Sequence, residues 1–297
     1  MIKLTFLGTS SATATPERNF PSVALEYDGD TFLFDCGEGT QRQLAKYGIN
    51  PFKIRAIFLT HIHGDHVIGV PGLVRTLAMH NRTEPLEIYI PEGYEKNITS
   101  LIMFDELKIP YKLIIKGVRS GTIIDTPHIR ISAFKVRHSV KCYGYVFLRK
   151  DSLRFMKDRC AGLGIKGKMF AQLKKKGRIT INGKVIKLKE VTFNQKGNKI
   201  VYVTDTRPAA ETIKAAKGAD ILIHEATYHS SLIKIAKEYE HATSKEAAEI
   251  AKKAGVKRLI MHHLSARYNN DASELEKEAK KIFKESTFAK DGMKIEI

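Results

Sequence analysis

The feature that most constrains this 297-residue chain is a cluster of ligand-type side chains at residues 58–66. Three histidines and one aspartate fall within six residues there, between an apolar run and a predicted helix. His61 and His63 lie two apart on an extended stretch, so their side chains point the same way. Asp65 and His66 fall on the turn into the helix and can face a second ion, and the intervening glycine lets the backbone fold tightly. Imidazole with carboxylate suits zinc, with iron, manganese or cobalt as alternatives.

Three further ligand-type residues lie downstream. His138, Asp205 and His263 each come at the end of an apolar, β-like run. Residues at strand ends converge on one rim of a sheet, where open α/β sheets place their sites. Together with the first cluster they make seven ligands, enough for two metals that share one carboxylate. For Asp205 the alternative is an ordinary turn aspartate ahead of a Thr-Arg-Pro sequence.

The remaining pattern is typical of an α/β protein. Predicted strands lie at 2–7, 22–27 and 31–34, and predicted helices lie at 65–80, 209–217, 244–254 and 272–285. Thr243 or Ser244 can cap the helix at 244–254, and Gly255 ends it. Strands interleaved with helices favour an arrangement in which helices cover the faces of a sheet.

Composition is that of an ordinary soluble globular protein, with 43% hydrophobic and 28% charged residues. No run approaches the roughly 18 apolar residues of a membrane span, so no membrane association is expected. Residues 1–7 lead directly into a Gly-Thr-Ser-Ser turn, which predicts a strand and not a signal peptide. The three cysteines are widely spaced and fit neither a disulfide framework nor a CxxC zinc site, which indicates a cytoplasmic location.

The net charge of +18 is concentrated in one segment. Residues 149–199 hold 16 lysines and arginines against three acids, so +13 falls within 51 residues. The segment 150–198 is interpreted as an insertion because it is basic, contains glycines and lacks a long apolar stripe. Within it, 178–186 predicts a hairpin with an Asn-Gly turn. A solvated lysine-rich loop is the alternative, but so concentrated a charge is typical of a surface that binds a polyanion such as nucleic acid.

The segment His-Ile-His-Gly-Asp-His at 61–66 resembles the HxHxDH signature of hydrolases with the metallo-β-lactamase fold. The resemblance implies an α/β protein with an αββα sandwich, a single domain over 1–297 with a basic arm inserted at 150–198. It also implies two Zn²⁺ ions per chain, with Mn²⁺, Co²⁺ or Fe²⁺ as alternatives. In the ligand scheme of these hydrolases, one metal lies on His61, His63 and His138, the other on Asp65, His66 and His263, and Asp205 bridges them.

Further segments resemble the tRNase Z family of tRNA 3′-processing endonucleases, in its short form. The matching motifs lie, in order, at 34–44, 69–73, 224–228, 241–243 and 263–268. This resemblance implies a zinc-dependent endoribonuclease that removes the 3′ trailer of precursor tRNA and leaves a 3′-hydroxyl on the tRNA. It implies a homodimer in which the flexible arm of one subunit presents tRNA to the site of its partner. The arm residues expected to contact tRNA are Lys166, Lys168, Lys174, Lys175, Lys176 and Arg178.

The same resemblance assigns roles beside the ligand set. His241 matches the non-ligand histidine of the family and is the expected proton donor, and Glu225 would hold its tautomer and raise its basicity. The alternatives are a histidine that only precedes a helix cap and a carboxylate with a structural hydrogen bond. Asp65 would both bind metal and orient the attacking water. Asp35 is expected to hold the loop that carries His61 in place without binding metal itself. The residues expected near the scissile phosphate are Arg267 and Tyr268.

Two positions depart from the family pattern. Arms of the family usually carry a Gly-Pro pair, and Lys168 stands where the proline would be. A loop that reads Pro-x-Lys-x-Arg-Asn in many members keeps only Arg18 and Asn19 here. The resemblance therefore leaves open the shape of the arm tip and the position of the cut.

Two other functions share part of these features. An enzyme of the same fold that acts on small phosphodiesters, esters or lactones has the same metal site but no use for a basic insertion. An RNA-binding protein with a dead site would have no reason to keep seven ligands and a proton-donor pair. Salt separates the first alternative, because binding of a polyanion weakens steeply with ionic strength and turnover of a small ester does not.

Overall fold

The computed structural model describes residues 1–105, 108–268 and 271–297. Strands and helices alternate along the chain, as the sequence pattern predicts. In chain order the strands are β1 (Ile2–Gly8), β2 (Ser22–Tyr27), β3 (Asp30–Phe34), β4 (Ile54–Phe58), β5 (Leu86–Pro91), β6 (Leu113–Val118), β7 (Gly121–Asp125), β8 (Ile129–Lys135), β9 (Tyr143–Arg149), β10 (Ser152–Phe155), β11 (Arg178–Ile181), β12 (Lys184–Lys187), β13 (Thr192–Gln195), β14 (Asn198–Val203), β15 (Ile221–Glu225), β16 (Arg258–His262), β17 (Ser286–Phe288) and β18 (Lys294–Glu296).

The helices connect these strands and are short. In chain order they are α1 (Thr40–Lys46), α2 (Gly64–Val67), α3 (Gly69–Met79), α4 (Glu95–Ile102), α5 (Lys157–Gly162), α6 (Met169–Lys176), α7 (Ala210–Ala216), α8 (Ile233–Glu238), α9 (Ser244–Ala254) and α10 (Ser273–Ile282). Turns of 3₁₀ helix lie at Pro51–Lys53, Leu188–Glu190, Ser230–Leu232 and Ala266–Tyr268. In the described parts of the chain, no helix has the length and apolar character needed to cross a membrane.

The strands build two large sheets that lie face to face. Among the described residues each has seven strands, in the orders β18-β1-β2-β3-β4-β5-β6 and β17-β16-β15-β14-β9-β8-β7. Helices α1, α3 and α4 pack on the outer face of the first sheet, and α7, α9 and α10 pack on the outer face of the second. These four layers confirm the predicted αββα sandwich of the metallo-β-lactamase fold.

Aromatic side chains fill the space between the two sheets. Along β3, Phe34 points to this inner core while its neighbour Leu33 points to the outer layer, as the period-two geometry of a strand requires. The ring of Phe34 stacks on Phe58 at 5.5 Å and on Tyr202 of the opposite sheet at 5.4 Å. Tyr202 also donates its hydroxyl hydrogen to Asp35 Oδ2 at 2.9 Å. The packed core therefore also fixes Asp35, which lies in the loop after β3.

Two predicted helices show how local signals set the ends of elements. For α9, Thr243 and Glu246 form a reciprocal capping box, and Gly255 follows the last turn at φ 62°, as predicted. The single helix predicted at 65–80 is instead two helices, α2 and α3, that meet at Ile68. Pro71 lacks the backbone N–H that would continue the first helix into the second, and a proline is tolerated only in the first turn of a helix.

Residues 152–195 form a small unit between β9 and β14. The ribbon of β10 and β13 leads to α5, α6 and the hairpin of β11 and β12. The hairpin turns at Asn182 (φ 49°) and Gly183 (φ 78°), in the left-handed conformation that the Asn-Gly signal predicts. Six buried side chains form a hydrophobic cluster: Cys160, Ile165, Leu173, Ile179, Ile186 and Val191. The sequence shows no apolar stripe here because these residues come from separate short elements.

Strand directions place this unit far from the opposite rim of the sandwich. Strand β9 runs from Tyr143 to Arg149, and its antiparallel partner β14 runs from Asn198 to Val203. The unit leaves and rejoins the sheet at Arg149 and Asn198, which pair with each other. Asp205 follows the other end of β14. Seven residues of strand, at about 3.3 Å per residue, separate the two ends by about 20 Å.

Candidate metal centre

The seven predicted ligands meet at one rim of the sandwich. Strands β14, β15 and β16 are parallel, so their carboxyl ends reach the same rim. The loops after β4, β8, β14 and β16 carry His61, His138, Asp205 and His263. His63 occupies the N-cap position of α2, and Asp65 and His66 lie within that short helix. The expectation that strand ends bring these side chains together therefore agrees with the structure.

Three histidines surround one oxygen of Asp205. Its Oδ2 lies 3.5 Å from His61 Nε2 and 3.8 Å from His138 Nε2. The Nδ1 atom of His63 lies 3.0 Å and 3.3 Å from the same two nitrogens. One donor atom from each of these four residues lies within 4.8 Å of the others, which is the spacing of a set that can hold one ion.

The other oxygen of Asp205 faces a second group. Its Oδ1 lies 3.0 Å from His263 Nε2 and 3.4 Å from His66 Nε2. The Oδ2 atom of Asp65 lies 3.8 Å and 3.3 Å from those nitrogens. Asp205 thus stands between two neighbouring donor groups, with one carboxylate oxygen turned to each. This division matches the ligand scheme that the family resemblance implies.

Four of the histidines point Nε2 toward the carboxylate of Asp205, and in each of them Nδ1 lies within hydrogen-bond distance of an oxygen atom. The pairs are His61 with Thr60 Oγ1 (3.0 Å), His66 with Asp35 Oδ2 (2.9 Å), His138 with the carbonyl of Glu240 (3.3 Å) and His263 with Thr227 Oγ1 (2.9 Å). A proton on Nδ1 donates to that oxygen and leaves the Nε2 lone pair free for a metal. All four rings are therefore oriented as ligands.

Two of these nitrogens test whether the site fits a metal. The Nε2 atoms of His66 and His263 are buried and have no hydrogen-bond partner among the described residues. Carboxylate oxygens are nearby, but the angles of a hydrogen bond are not met. An unsatisfied buried polar atom costs about 1–3 kcal/mol. A divalent cation between the rings and carboxylates removes this cost, and imidazole with carboxylate is the donor set that such ions take.

The charge distribution also favours a cation. Burial, and next the neighbouring His66, lower the pKa of His61 well below its usual value, so this ring is neutral. Burial opposes ionisation of Asp205, but His263 and His66 hold its pKa well below the usual range. Burial likewise opposes ionisation of Asp65, but His66 and His263 together hold its pKa well below the usual range. Burial disfavours a charged His66, but Asp205 and Asp65 raise its pKa well above the usual value. The two carboxylates thus attract positive charge, which divalent cations supply.

Backbone strain is concentrated at the same rim. Asp35 (φ 57°), Asp205 (φ 30°), Glu240 (φ 56°) and His263 (φ 66°) adopt the left-handed conformation that residues other than glycine seldom adopt. Each such residue costs of order 1–3 kcal/mol and persists only where the surroundings hold it. All four are candidate ligands or hydrogen-bond the ring nitrogen of one. The fold therefore stores strain to aim these groups at the centre.

Glycines near the centre have a different role from the one predicted. Gly64 does not adopt the left-handed conformation, and a Cβ there would meet only the flexible end of Ile68. Gly69 is the residue that close packing requires, because its Cβ would lie 2.0 Å from the carbonyl oxygen of Gly37. The tight contact lies between the start of α3 and the loop after β3, and not between the two histidine pairs.

His241 lies beside the donor groups and is paired with a buried carboxylate. Its Nδ1 donates to Glu225 Oε1 at 3.1 Å, and its ring centroid lies 5.3 Å from that of His263. Burial disfavours the charged ring, but Glu225 overrides it and raises the pKa of His241 to about 9. Asp205, His241 and His263 also lie close enough to share an ion. A ring whose pKa is raised in this way holds a proton to give, and His241 lies outside the two main donor groups, which favours the role of a proton donor over that of a ligand.

The carboxylate of Glu225 is fully buried and holds several loops together. It accepts hydrogen bonds from the backbone N–H of Thr206 (2.6 Å) and Ala242 (2.9 Å) and from the hydroxyl of Thr227 (2.7 Å). Burial opposes ionisation, but His241 leads the groups that lower the pKa of Glu225 to about 2. Glu225 thus contacts both the His241 loop and the loop after Asp205.

A pocket of about 270 Å³ opens at the centre and is lined by candidate ligands and His241, but Arg267 and Tyr268 are not among its lining residues. The guanidinium of Arg267 lies 5.1 Å from the ring of Tyr228, and that ring lies 6.1 Å from His241. Tyr268 uses its hydroxyl oxygen to accept the backbone N–H of His229 at 2.7 Å. Arg267 is exposed and reaches His241 only through the ring of Tyr228, whereas Tyr268 has a structural contact of its own.

Arg18 and Asn19, the two residues that keep the family pattern in the loop before β2, have structural contacts in this chain. Arg18 is only 4% exposed, and its Nη1 donates to Thr9 Oγ1 and to the carbonyl of Ala289, both at 2.7 Å. Asn19 Nδ2 donates to the carbonyl of Glu38 at 2.8 Å. The two residues fix the ends of the loop, while residues 12–14 in front of them are exposed.

Asp35 offers a first test of this arrangement. It accepts hydrogen bonds from Thr60 N (2.8 Å), Thr60 Oγ1 (2.9 Å), His66 Nδ1 (2.9 Å) and Tyr202 Oη (2.9 Å). We expect Asp35→Asn to lower metal affinity about 10–100-fold, because the amide loses the charge that orients His66. Competition with a chelator measures this. Asp30→Asn, at an exposed aspartate on the same strand, is the matched control, and equal affinities in the two variants would contradict the role.

Comparisons with known proteins agree with this geometry. Residues 2–160 match a family model described as anti-Pycsar protein Apyc1, and residues 155–264 match the beta-lactamase superfamily domain. A protein named ribonuclease Z from Methanothermobacter thermautotrophicus is 40% identical over 299 residues, covering 100% of this chain and 97% of its own. A ribonuclease Z from Archaeoglobus fulgidus is 38% identical and covers 100% and 98%. The crystal structure of human tRNase Z, short form, has a TM-score of 0.73 at 27% identity, with 99% of each chain covered.

These matches differ in how much of the chain they span. The two family models each describe one part of the sandwich, whereas the ribonuclease Z relatives match it from end to end. The structural likeness to human tRNase Z also extends over the whole chain. On this evidence the chain belongs to the ribonuclease Z family of metal-dependent endoribonucleases with the metallo-β-lactamase fold.

Proposed function

We propose that this protein removes the 3′ trailer from precursor tRNA by zinc-dependent hydrolysis of a phosphodiester, leaving a 3′-hydroxyl on the tRNA. The observation that carries the proposal is the metal centre. Two donor groups share Asp205, and a His241–Glu225 pair stands beside them in a chain that matches ribonuclease Z relatives end to end. A cytoplasmic location, where precursor tRNA is available, stays a prediction.

Two Zn²⁺ ions per chain are proposed for the two donor groups, with Mn²⁺, Co²⁺ or Fe²⁺ as alternatives. One ion would lie on His61, His63 and His138, the other on Asp65, His66 and His263, and Asp205 would belong to both. When bound, such ions neutralise charge on the scissile phosphate. They also lower the pKa of water, so that hydroxide is available for attack at neutral pH.

The protein's own groups would orient the reactants and move protons. Asp65 is the less buried of the two carboxylates, with its side chain 13% exposed, and it would orient the attacking water. His241 would give a proton to the oxygen that leaves when the bond between phosphorus and the tRNA 3′ oxygen breaks. Glu225 would keep that ring protonated and in the correct tautomer through the 3.1 Å contact with Nδ1.

The basic unit at 150–198 is proposed as the arm that binds tRNA. The basic side chains predicted to contact tRNA are all exposed: Lys166, Lys168, Lys174, Lys175, Lys176 and Arg178. Three of them lie in the last turn of α6. Phosphate contacts of this kind supply affinity for RNA without sequence preference. The hydrophobic cluster of the arm would hold them on a defined surface.

We propose a homodimer, and the position of the arm supports it. The arm leaves the sheet at the end opposite the metal centre, about 20 Å away by strand length. It is therefore rooted at the rim opposite the site of the same chain. In a symmetric dimer the arm of one subunit can instead lie beside the site of its partner.

Incubation of the purified protein with a 3′-extended precursor tRNA tests the proposed function. We expect two products, a tRNA body and a released trailer, and no cleavage after removal of metal with a chelator. An uncut substrate in the presence of added Zn²⁺ or Mn²⁺ would reject the proposal.

The metal content is a separate prediction. We expect two transition-metal ions per chain by elemental analysis, and we expect His63→Ala to lose at least one of them, because His63 belongs to one donor group only. Substitution of the exposed His128, which lies outside both groups, is the control. Active protein without a transition metal would contradict the assignment.

Complementation tests the dimer. One chain lacks residues 150–197, and the other keeps the arm but carries His63→Ala. Each chain alone should process precursor tRNA poorly. Co-expressed chains should recover up to about a quarter of the wild-type activity, because random pairing puts half of the chains in mixed dimers that each have one complete site. A mixture no more active than its separate components would show that each arm serves its own subunit.

A further inference from the structure

We infer that Arg207 is a positioning residue that holds His241 beside the metal ligands, an inference that rests on the proposed role of His241 as proton donor. In the sequence Arg207 is only part of a Thr-Arg-Pro turn after Asp205. In the structure it is 9% exposed, and its guanidinium points into the loop that carries His241.

The guanidinium of Arg207 joins that loop to α9. Its Nη1 donates to the carbonyl oxygen of His241 and, at 3.0 Å, to Glu246 Oε2, while Nη2 donates to Glu246 Oε1. Glu246 is also the acidic partner of the capping box that begins α9 and accepts the backbone N–H of Thr243 at 3.0 Å. Arg207 therefore ties the His241 carbonyl to a rigid helix start.

The peptide bond between His241 and Ala242 is held on both of its polar sides. Its carbonyl accepts from Arg207, and its N–H donates to Glu225 Oε2 at 2.9 Å. Glu240, which precedes His241, is in the strained left-handed conformation. Such a conformation persists only where contacts with other parts of the chain hold it. With both anchors in place the peptide plane cannot turn, and the ring of His241 keeps its direction.

The backbone of Arg207 links the same point to the metal ligands. Its N–H donates to the carbonyl of Arg137 at 2.8 Å, and Thr206 Oγ1 accepts the N–H of Arg137 at 3.2 Å. Arg137 directly precedes His138, and Arg207 comes two residues after Asp205. Arg207 thus connects the loops that carry His138 and Asp205 with the loop that carries His241.

Only arginine can make these contacts together. Its planar guanidinium presents a fixed fork of donors that takes both oxygens of Glu246 while Nη1 also reaches a carbonyl. A lysine keeps the charge but has one compact ammonium group and cannot satisfy both sites. Lysine therefore preserves the charge balance with Glu246 while it releases the His241 peptide.

The test compares Arg207→Lys with two substrates, precursor tRNA and bis(p-nitrophenyl) phosphate, in the metal-loaded enzyme. The 3′ oxygen of tRNA needs a proton to leave, whereas p-nitrophenolate leaves without one. We expect kcat on precursor tRNA to fall about tenfold or more, within the 10²–10⁴ that a general acid contributes. KM and the metal content should stay near wild type, and the loss on the chromogenic substrate should be much smaller.

Two further variants keep the result interpretable. Arg207→Ala leaves the Glu246 charge uncompensated, so it is assayed with added guanidinium, which should restore activity to this variant but not to His241→Ala. Arg82→Lys is the control for loss of a buried arginine, because Arg82 is 5% exposed and donates only to carbonyl oxygens far from the site. It should retain the wild-type ratio of the two activities.

Either of two results would overturn the positioning role. One is an unchanged kcat on precursor tRNA in Arg207→Lys while His241→Ala loses activity. The other is an equal loss on both substrates or a loss of metal, which would make Arg207 a support of the whole site. Failure of the wild-type protein to cut precursor tRNA would instead reject the proposed function, and the same experiment shows it.

Discussion

Deletion of residues 150–197 should lower kcat/KM for precursor tRNA by about 10²-fold or more, because phosphate contacts supply most of the affinity for a polyanion. The loss should appear mainly as weaker binding with a shallower dependence on salt. Hydrolysis of bis(p-nitrophenyl) phosphate should remain, since the predicted ligands all lie outside this segment. The protein should still bind two metals per chain.

The structure makes this deletion practical. Arg149 and Asn198 are paired neighbours on β9 and β14, so a two-residue Asn-Gly turn can join them as a hairpin. The hydrophobic cluster of the arm is composed of arm residues, and its removal leaves the buried clusters of the sandwich intact. A variant with the six exposed basic residues replaced by glutamine and the arm retained is the control for folding.

Each outcome of the paired assay has one meaning. Equal losses on both substrates would show that the segment supports the sandwich or the metal site. Unchanged processing of precursor tRNA would show that the positive charge of the deleted residues only solvates the surface.

His241→Ala should lower kcat on precursor tRNA by 10²-fold or more, because general-acid catalysis typically contributes about 10²–10⁴-fold. The physical reason is that the tRNA 3′ oxygen is a poor leaving group unless it receives a proton as the bond to phosphorus breaks. Binding of tRNA should change little, since the proposed RNA contacts lie on the arm. Single-turnover cleavage at saturating enzyme measures the chemical step.

Metal content decides between the two roles that the geometry allows His241. Elemental analysis should find as much metal in His241→Ala as in the wild type, because His241 donates to Glu225 and lies outside the two main donor groups. Glu225→Gln should give a smaller loss of kcat with the metal retained. A fall in metal content that parallels activity would instead make His241 a ligand.

Local signals in the sequence predicted much of this structure. The convergence of the candidate ligands could be predicted because two rules act together: strand ends share a rim, and a histidine cluster at a strand-to-helix turn converges. The cap at Thr243 and the hairpin turn at Asn182 follow from side-chain hydrogen bonding and backbone preference over a few residues. Such signals need no knowledge of distant parts of the chain.

Other features depend on contacts between segments far apart in sequence. Thr227 orients His263 across 36 residues, and the carbonyl of Glu240 orients His138 across 102 residues. A carbonyl group leaves no trace in the residue type, so the second contact cannot be predicted from a pattern. Arg207 belongs to the same class, because its role depends on the position of the His241 peptide.

The most direct test of the account is one round of cleavage of precursor tRNA in ¹⁸O-labelled water, with analysis of both new ends. Metal-assisted attack by water, with a proton given to the tRNA 3′ oxygen, predicts a trailer whose 5′-phosphate carries the labelled oxygen. The tRNA should end in an unlabelled 3′-hydroxyl. A 2′,3′-cyclic phosphate on the tRNA, or label in its 3′-hydroxyl, would contradict the account.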